Sequence, residues 1–109
     1  MKGFESETRA LEYLLERGHT LLERNYRVQG GEIDLITLEG EVTVFTEVKQ
    51  RSRGDFGSAL ESVSAKKARL VRRTALRYLG RDDVFCRFDV IAIEGDPMSG
   101  ELVWIKDAF

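Results

Sequence analysis

Two carboxylates and an ammonium group stand together in the most β-rich stretch of the sequence: Asp34 in the run 32–38, and Glu47 and Lys49 in the run 41–49. The runs are dense in β-branched residues and separated only by Glu39-Gly40, the pattern of a hairpin with a two-residue turn. A turn at Glu39-Gly40 pairs Leu38 with Glu41. That register sets Glu32 opposite Glu47 and Asp34 opposite Phe45, with Asp34 diagonal to Glu47 at roughly 5 to 8 Å. Lys49 shares this face, while Ile33, Leu35, Val42, Val44 and Val48 turn to the other, the expected core side. Three carboxylates on one hairpin face repel one another, so something must offset the charge. A hard divalent cation such as Mg²⁺ does so, because it prefers oxygen ligands and keeps several waters. Lys49 completes a pattern suited to aligning an attacking water beside a phosphate. The competing reading is a solvated hairpin face. Strands often expose alternating charges, and a Glu-x-Lys triplet is common where 33% of residues are charged.

The elements that position these groups follow from periodicity. Ala10, Leu11, Leu14 and Leu15 recur at helical spacing over 5–17, and Gly18 is placed to stop that helix. Glu7 falls on the same stripe as Ala10, Leu11 and Leu14, where a carboxylate needs a partner, so it joins the candidate site. Glu5, Glu12 and Glu16 can sit on a solvated face. A short strand is expected over 21–28, ended by Gly30-Gly31. After the hairpin, 50–62 reads as a basic, mobile loop. Ala68, Val71, Ala75, Tyr78 and Leu79 mark a second helix over 64–79 with Gly80 as its stop, and strands follow at 84–93 and 100–106. The order is α-β-β-β-α-β-β, a mixed-sheet α/β (α+β) fold.

Charge divides unevenly along the chain. The segment from Lys49 to Arg81 holds ten basic and two acidic residues, net +8, whereas the remainder nets −10 within a total of −2. Such asymmetry marks a polyanion-binding segment in an otherwise acidic protein. On the second helix Lys66, Arg69, Arg73 and Arg77 form one stripe, broadened by Lys67 and Arg72. With Arg51 and Arg53 they are the expected phosphate contacts, against the plainer reading of a solvated helix face. The Ala-rich opposite face argues against a membrane contact.

Length and 42% apolar content suit one globular domain spanning 1–109. The N-terminal residues lack a signal-peptide apolar region and no apolar run approaches a membrane span, so a cytoplasmic location without membrane contact is expected. The lone Cys86 excludes an internal disulfide and a Cys-rich zinc site, and reads as a small buried hydrophobe. His19, beside Gly18, reads as a surface residue at a helix end. Asp89 reads as a buried, hydrogen-bonded structural group, and Trp104 as core.

Several segments together resemble a known family: Glu7-Thr-Arg-Ala10 with Tyr13-Leu14, Arg24-Asn25-Tyr26-Arg27, Gly31-Glu-Ile-Asp-Leu-Ile36, Phe45-Thr-Glu-Val-Lys-Gln-Arg51 and Arg87-Phe-Asp-Val90. Over almost the whole chain they resemble the YraN-like bacterial proteins within the PD-(D/E)XK, or restriction-endonuclease-like, nuclease superfamily. Archaeal Holliday-junction resolvases are similar at a greater distance. Ser6 and Thr46 depart from the family's usual Gly and Val without touching the expected ligands. The resemblance implies a restriction-endonuclease-like mixed sheet. Asp34, Glu47 and the backbone carbonyl of Val48 would bind Mg²⁺ or Mn²⁺, and Glu7 would bind a metal-linked water or a second ion. Lys49 would act on the water or the phosphate, and Glu32 and Gln50 would support the site from behind. The activity implied is hydrolysis of phosphodiester bonds in DNA, more than RNA, including branched or damaged DNA. A homodimer is a further expectation, because so small a chain has little surface to grip two strands. The alternative is a non-catalytic nucleic-acid-binding or scaffold protein that retains the nuclease fold.

Overall fold

The computed structural model describes residues 3–51 and 64–109. In chain order the elements are α1 (Phe4–Glu16), β1 (Thr20–Val28), β2 (Gly31–Glu39), β3 (Val42–Arg51), α2 (Ala65–Leu79), β4 (Cys86–Glu94) and β5 (Glu101–Ile105). The α-β-β-β-α-β-β order matches the sequence reading. The segment read as a loop contributes Gln50 and Arg51 to β3, and the rest of it, with Arg53, lies outside the described residues. One five-stranded sheet runs β1-β2-β3-β4-β5, with every neighbouring pair antiparallel except the parallel central pair β3 and β4. A parallel pair needs a crossover, and α2 lies within it.

The helix ends follow the stop signals. Gly18 takes a left-handed φ of 92° just beyond α1. At α2, the Ser64 hydroxyl accepts a bond from the Lys67 amide at 3.1 Å, and Gly80 closes the C-terminus at φ 73°.

Both sheet faces are covered, which corrects the expectation of one core side. Leu35 packs with Ala10 and Leu14 of α1 and with Ile91 and Ile93. Its neighbour Ile36 packs with Phe45 and with Val71 and Ala75 of α2. Adjacent strand residues serving opposite cores is what a central strand requires.

Ile33 departs further from the expected pattern. It shares the α2 core with Ile36 rather than the α1 core with Leu35. The change coincides with an irregularity next door in β1, where Asn25 stands at φ 55° between the pairs Arg24↔Leu35 and Tyr26↔Ile33. Across that residue Arg24 turns to Phe4 and Thr8 of α1, while Tyr26 meets Tyr78 of α2 with ring centroids 5.1 Å apart. Strict alternation fails there because a left-handed residue rotates the chain.

The hairpin register is also corrected. The last ladder pair is Glu39↔Val42, so the turn residues are Gly40 and Glu41, one position beyond the expected turn. Gly40, at φ 59°, fills the first turn position. The shift moves each partner by two residues and therefore preserves the faces. Ile36 now pairs with Phe45 and Leu35 with Thr46, and the same register continued sets Asp34 opposite Glu47.

Three single-residue expectations resolve in different ways. Asp89 is fully buried, as read. It accepts both Arg87 Nε at 2.8 Å and Arg87 Nη2 at 2.9 Å, Trp104 Nε1 at 2.9 Å and the Asp107 amide at 3.0 Å. His19 is buried rather than a surface residue. Its Nδ1 lies 2.8 Å from Thr37 Oγ1, and its ring meets Trp104 edge-on. The cause is its place just before β1, which turns it onto the sheet instead of leaving it at the helix end. Cys86 is exposed rather than buried, because it opens β4 at the rim of the sheet. Among the described residues no helix is long and apolar enough to cross a membrane.

Candidate functional site

The β2–β3 ladder ends at Leu35↔Thr46, and just beyond it the strands part. Two carboxylates take over where backbone bonds stop. Asp34 Oδ2 accepts the Val48 amide at 2.8 Å, and Glu47 Oε2 lies 3.5 Å from the Asp34 amide. The fork between two central strands thus holds a pair of acidic side chains, each engaged with the other strand's backbone. Glu47 is only 2% exposed.

Burial of two neighbouring carboxylates raises their affinity for protons. For Glu47 the pKa is pushed up to about 7, first by desolvation and then by the charge of Asp34, against the pull of Lys67 and Lys49. Asp34 is also raised, by desolvation foremost and further by Glu32, while the Val48 amide and Lys49 act in the opposite sense. Lys49, half-buried on β3 and two residues from Glu47, supplies positive charge to both.

A cation from another element enters the same fork. Lys67 Nζ of α2 lies 3.2 Å from Glu47 Oε1. By its place on the basic stripe Lys67 belongs with the phosphate contacts, whereas the fold seats it on a carboxylate of the fork. Its proximity was not legible, because the sequence does not state how α2 lies across the sheet.

Glu7 comes from the opposite side. In the first turn of α1 it stands 3.9 Å from Arg24 Nε, and the side chain of Asn25 donates to it. Its pKa is raised, first by desolvation and then by the charge of Asp34, so Glu7 faces the fork electrostatically. Arg24 is held in turn by the Phe4 carbonyl at 3.0 Å and Thr8 Oγ1 at 2.7 Å. The run Arg24-Asn25 carried the signal for these partners of Glu7.

Glu32 pairs with Arg27 Nε at 2.6 Å on the exposed end of β2, and its charge acts on Asp34 and Glu7. Gln50 donates to the Gly95 carbonyl, while the Gly95 amide donates to the Arg51 carbonyl at 2.7 Å, so both residues tie the end of β3 to the β4–β5 turn. Lys66, Arg69, Arg73 and Arg77 are exposed along α2.

The structure therefore brings together Asp34, Glu47, Lys67 and the Val48 backbone, with Lys49 and Glu7 close enough to act electrostatically. Among the described residues no three Asp, Glu, His or Cys side chains converge on one ion position. Two carboxylates beside strand carbonyls form a set of hard oxygen donors. Such a set fits Mg²⁺, which uses one or two carboxylates and retains waters, better than an ion needing a full protein cage.

Residues 6–93 match the family described as "Uncharacterised protein family UPF0102", a span that includes Glu7, Asp34, Glu47, Lys49 and Lys67. A UPF0102 protein of Deinococcus radiodurans is 48% identical over 106 residues, covering 93% of this chain and 86% of the relative. One from Dechloromonas aromatica is 48% identical over 109 residues, covering 99% and 88%. A third, from Shewanella loihica, is 46% identical over 110 residues, covering 99% and 93%.

Proposed function

The chain belongs to the UPF0102 family, and from that premise and the geometry of the fork we propose that it is a divalent-metal-dependent nuclease hydrolysing phosphodiester bonds, with DNA as the substrate. The observation that carries this reading is the pair of carboxylates, Asp34 and Glu47, enclosed where β2 and β3 part, with Lys67 and Lys49 acting on both and a basic helix alongside. Enclosing like charges costs stability, and a protein keeps such an arrangement where an ion or a reaction uses it.

Asp34 and Glu47, with the Val48 carbonyl, would hold Mg²⁺ or Mn²⁺, and Glu7 would reach it through water. Such an ion supplies Lewis-acid polarisation of a phosphoryl oxygen. The remaining work falls to the chain itself. Lys49 offers an ammonium to the charge that develops on the phosphate, in a partly dehydrated setting where that attraction is strong. Lys67 neutralises Glu47 until substrate and ion arrive. The Val48 amide fixes Asp34, so its carboxylate does not have to reorganise during reaction. Gln50 and Arg51 brace the end of β3 through Gly95, and the cations of α2 receive the flanking phosphates.

Calorimetric titration with Mn²⁺, followed by cleavage assays on single-stranded, duplex and branched DNA and on RNA, tests the proposal. Mn²⁺ binding and cleavage should both disappear in Asp34→Asn and Glu47→Gln while the fold persists. Wild-type protein that neither binds Mn²⁺ nor cuts any of these substrates defeats it.

One observation favours a second reading. The Lys67–Glu47 pair gives Glu47 a counter-ion within the chain, an arrangement that also suits a non-catalytic nucleic-acid-binding protein. Nucleic-acid binding unaffected by Asp34 and Glu47 substitutions, without metal-dependent cleavage, would select that reading.

A further inference from the structure

Beside the fork, between the β1–β2 turn and α2, lies a cleft of about 390 Å³ lined by Arg27, Val28, Gly30, Gly31, Glu32, Lys67, Leu70 and Val71. Its two cations are already matched by carboxylates, Arg27 by Glu32 at 2.6 Å and Lys67 by Glu47 at 3.2 Å. Local charge is therefore nearly balanced, which makes the cleft a poor receptor for a bare phosphate. Its walls are aliphatic, from Val28, Leu70 and Val71, and its side-chain-free edge is the Gly30-Gly31 backbone. The Arg27–Glu32 pair presents a donor next to an acceptor at the rim.

A flat, uncharged group with an apolar face and a hydrogen-bonding edge suits those walls. The volume is near the lower end of the range for small-ligand pockets, about 300–1,000 Å³, with room for one nucleotide and none for a stretch of duplex. Arginine and glutamate are side chains that read base edges, the one donating to guanine and the other accepting from cytosine. Lys67 lines the cleft and touches Glu47, and Glu32 lies two residues before Asp34, so an occupant sits within one side chain of the carboxylates.

We propose that this cleft is a nucleobase subsite that takes an unpaired base adjoining the phosphate at the fork, so that the substrate is a nucleic acid with single-stranded or displaced nucleotides. The assignment rests on the reading of the fork as a phosphodiester site. A base still paired in a duplex must first be extruded, at a cost of a few kcal/mol that an unpaired base does not incur.

Fluorescence anisotropy in EDTA, where no metal-dependent cleavage occurs, tests the subsite. The probes are a short labelled oligodeoxynucleotide, single-stranded, and the same oligonucleotide annealed as a blunt duplex. The single strand should bind at least about thirtyfold more tightly, the equivalent of about 2 kcal/mol, the low end of one base's unpairing cost. Leu70→Trp, which fills the cleft, should remove most of that preference and leave duplex affinity within about twofold. Arg77→Ala, outside the cleft, should weaken both probes alike. Arg27→Leu, an exposed change that removes the donor edge, gives the same reading should Leu70→Trp fail to fold. Equal affinity for the two probes, no binding of either, or a single-strand preference that survives both cleft variants overturns the subsite. A preference that is lost on filling the cleft, in a protein that binds no Mn²⁺, upholds the subsite and rejects the nuclease reading instead.

Discussion

Glu47 concentrates the energetics of the fork in one side chain. Its carboxyl is almost wholly buried between Asp34 and Lys67, and its pKa lies near 7 where an unfolded chain would give 4.5. The folded state therefore holds a proton that the unfolded state has released between those values, so the metal-free protein loses stability as pH rises from about 4.5 to 7. The loss attributable to this group is on the order of 3 kcal/mol, the opposing pull of Lys67 already included. Glu47→Gln removes the titrating charge while keeping the shape. Thermal melts in EDTA should show the variant several degrees more stable than wild type at pH 8, a gap that closes below pH 4.5. A variant that melts lower at pH 8 would mean that the Lys67 ion pair outweighs the burial cost. The closeness of Asp34 and Glu47 was legible from the sequence because period-two alternation puts them on one face of a β-rich hairpin. Lys67 was not, because its role depends on where a helix lies and not on its neighbours in the chain.

At the scale of elements, the seat of α2 on β2 decides whether Lys67 reaches Glu47, and one glycine permits that seat. A Cβ placed on Gly31 would stand 1.9 Å from Thr74 Oγ1 and 3.2 Å from Thr74 Cβ, and Thr74 is buried on α2 with its hydroxyl bonded to the Leu70 carbonyl at 2.8 Å. Gly31→Ala forces the helix outward and should cost about 1 to 3 kcal/mol by overpacking. Adding Thr74→Ala removes the clashing hydroxyl and should recover most of the loss, a coupling that denaturant unfolding of both single variants and the double variant measures. Simple additivity would show that the helix seat does not depend on this contact. Apolar periodicity and stop residues located every element and its ends to within about two residues, because burial writes itself into spacing. The hairpin register escaped that logic. A turn at Glu39-Gly40 and one at Gly40-Glu41 preserve the same faces, and only backbone conformation at Gly40 separates them. The exchange of Ile33 between cores escaped for a similar reason, since it lies beside a left-handed residue, Asn25, in the adjoining strand.

Across the whole molecule, the uneven charge becomes a direction. The described part of the +8 segment forms the end of β3 and α2, so positive potential lies along one helix that starts at the fork, while the remainder of the chain nets −10. Arg69, Arg73 and Arg77 are exposed at four-residue intervals, an advance of about 6 Å each along the helix axis. A strand entering the fork near Lys67 can therefore follow the helix with successive phosphates near successive guanidinium groups. Binding of this kind releases counterions, and the logarithm of affinity falls with the logarithm of salt by roughly 0.7 per phosphate contact for a single strand. Arg73→Ala combined with Arg77→Ala should accordingly flatten the salt dependence of single-strand binding by roughly 1.4 in slope. The weakening should be greatest at low salt and nearly independent of base sequence, because phosphate contacts carry no sequence information. Glu47→Gln should leave that slope in place, since it removes no cation. Anisotropy titrations over a series of KCl concentrations decide the matter: an unchanged slope in the double arginine variant would make the stripe a solvated helix face and return the path of the nucleic acid to the fork alone.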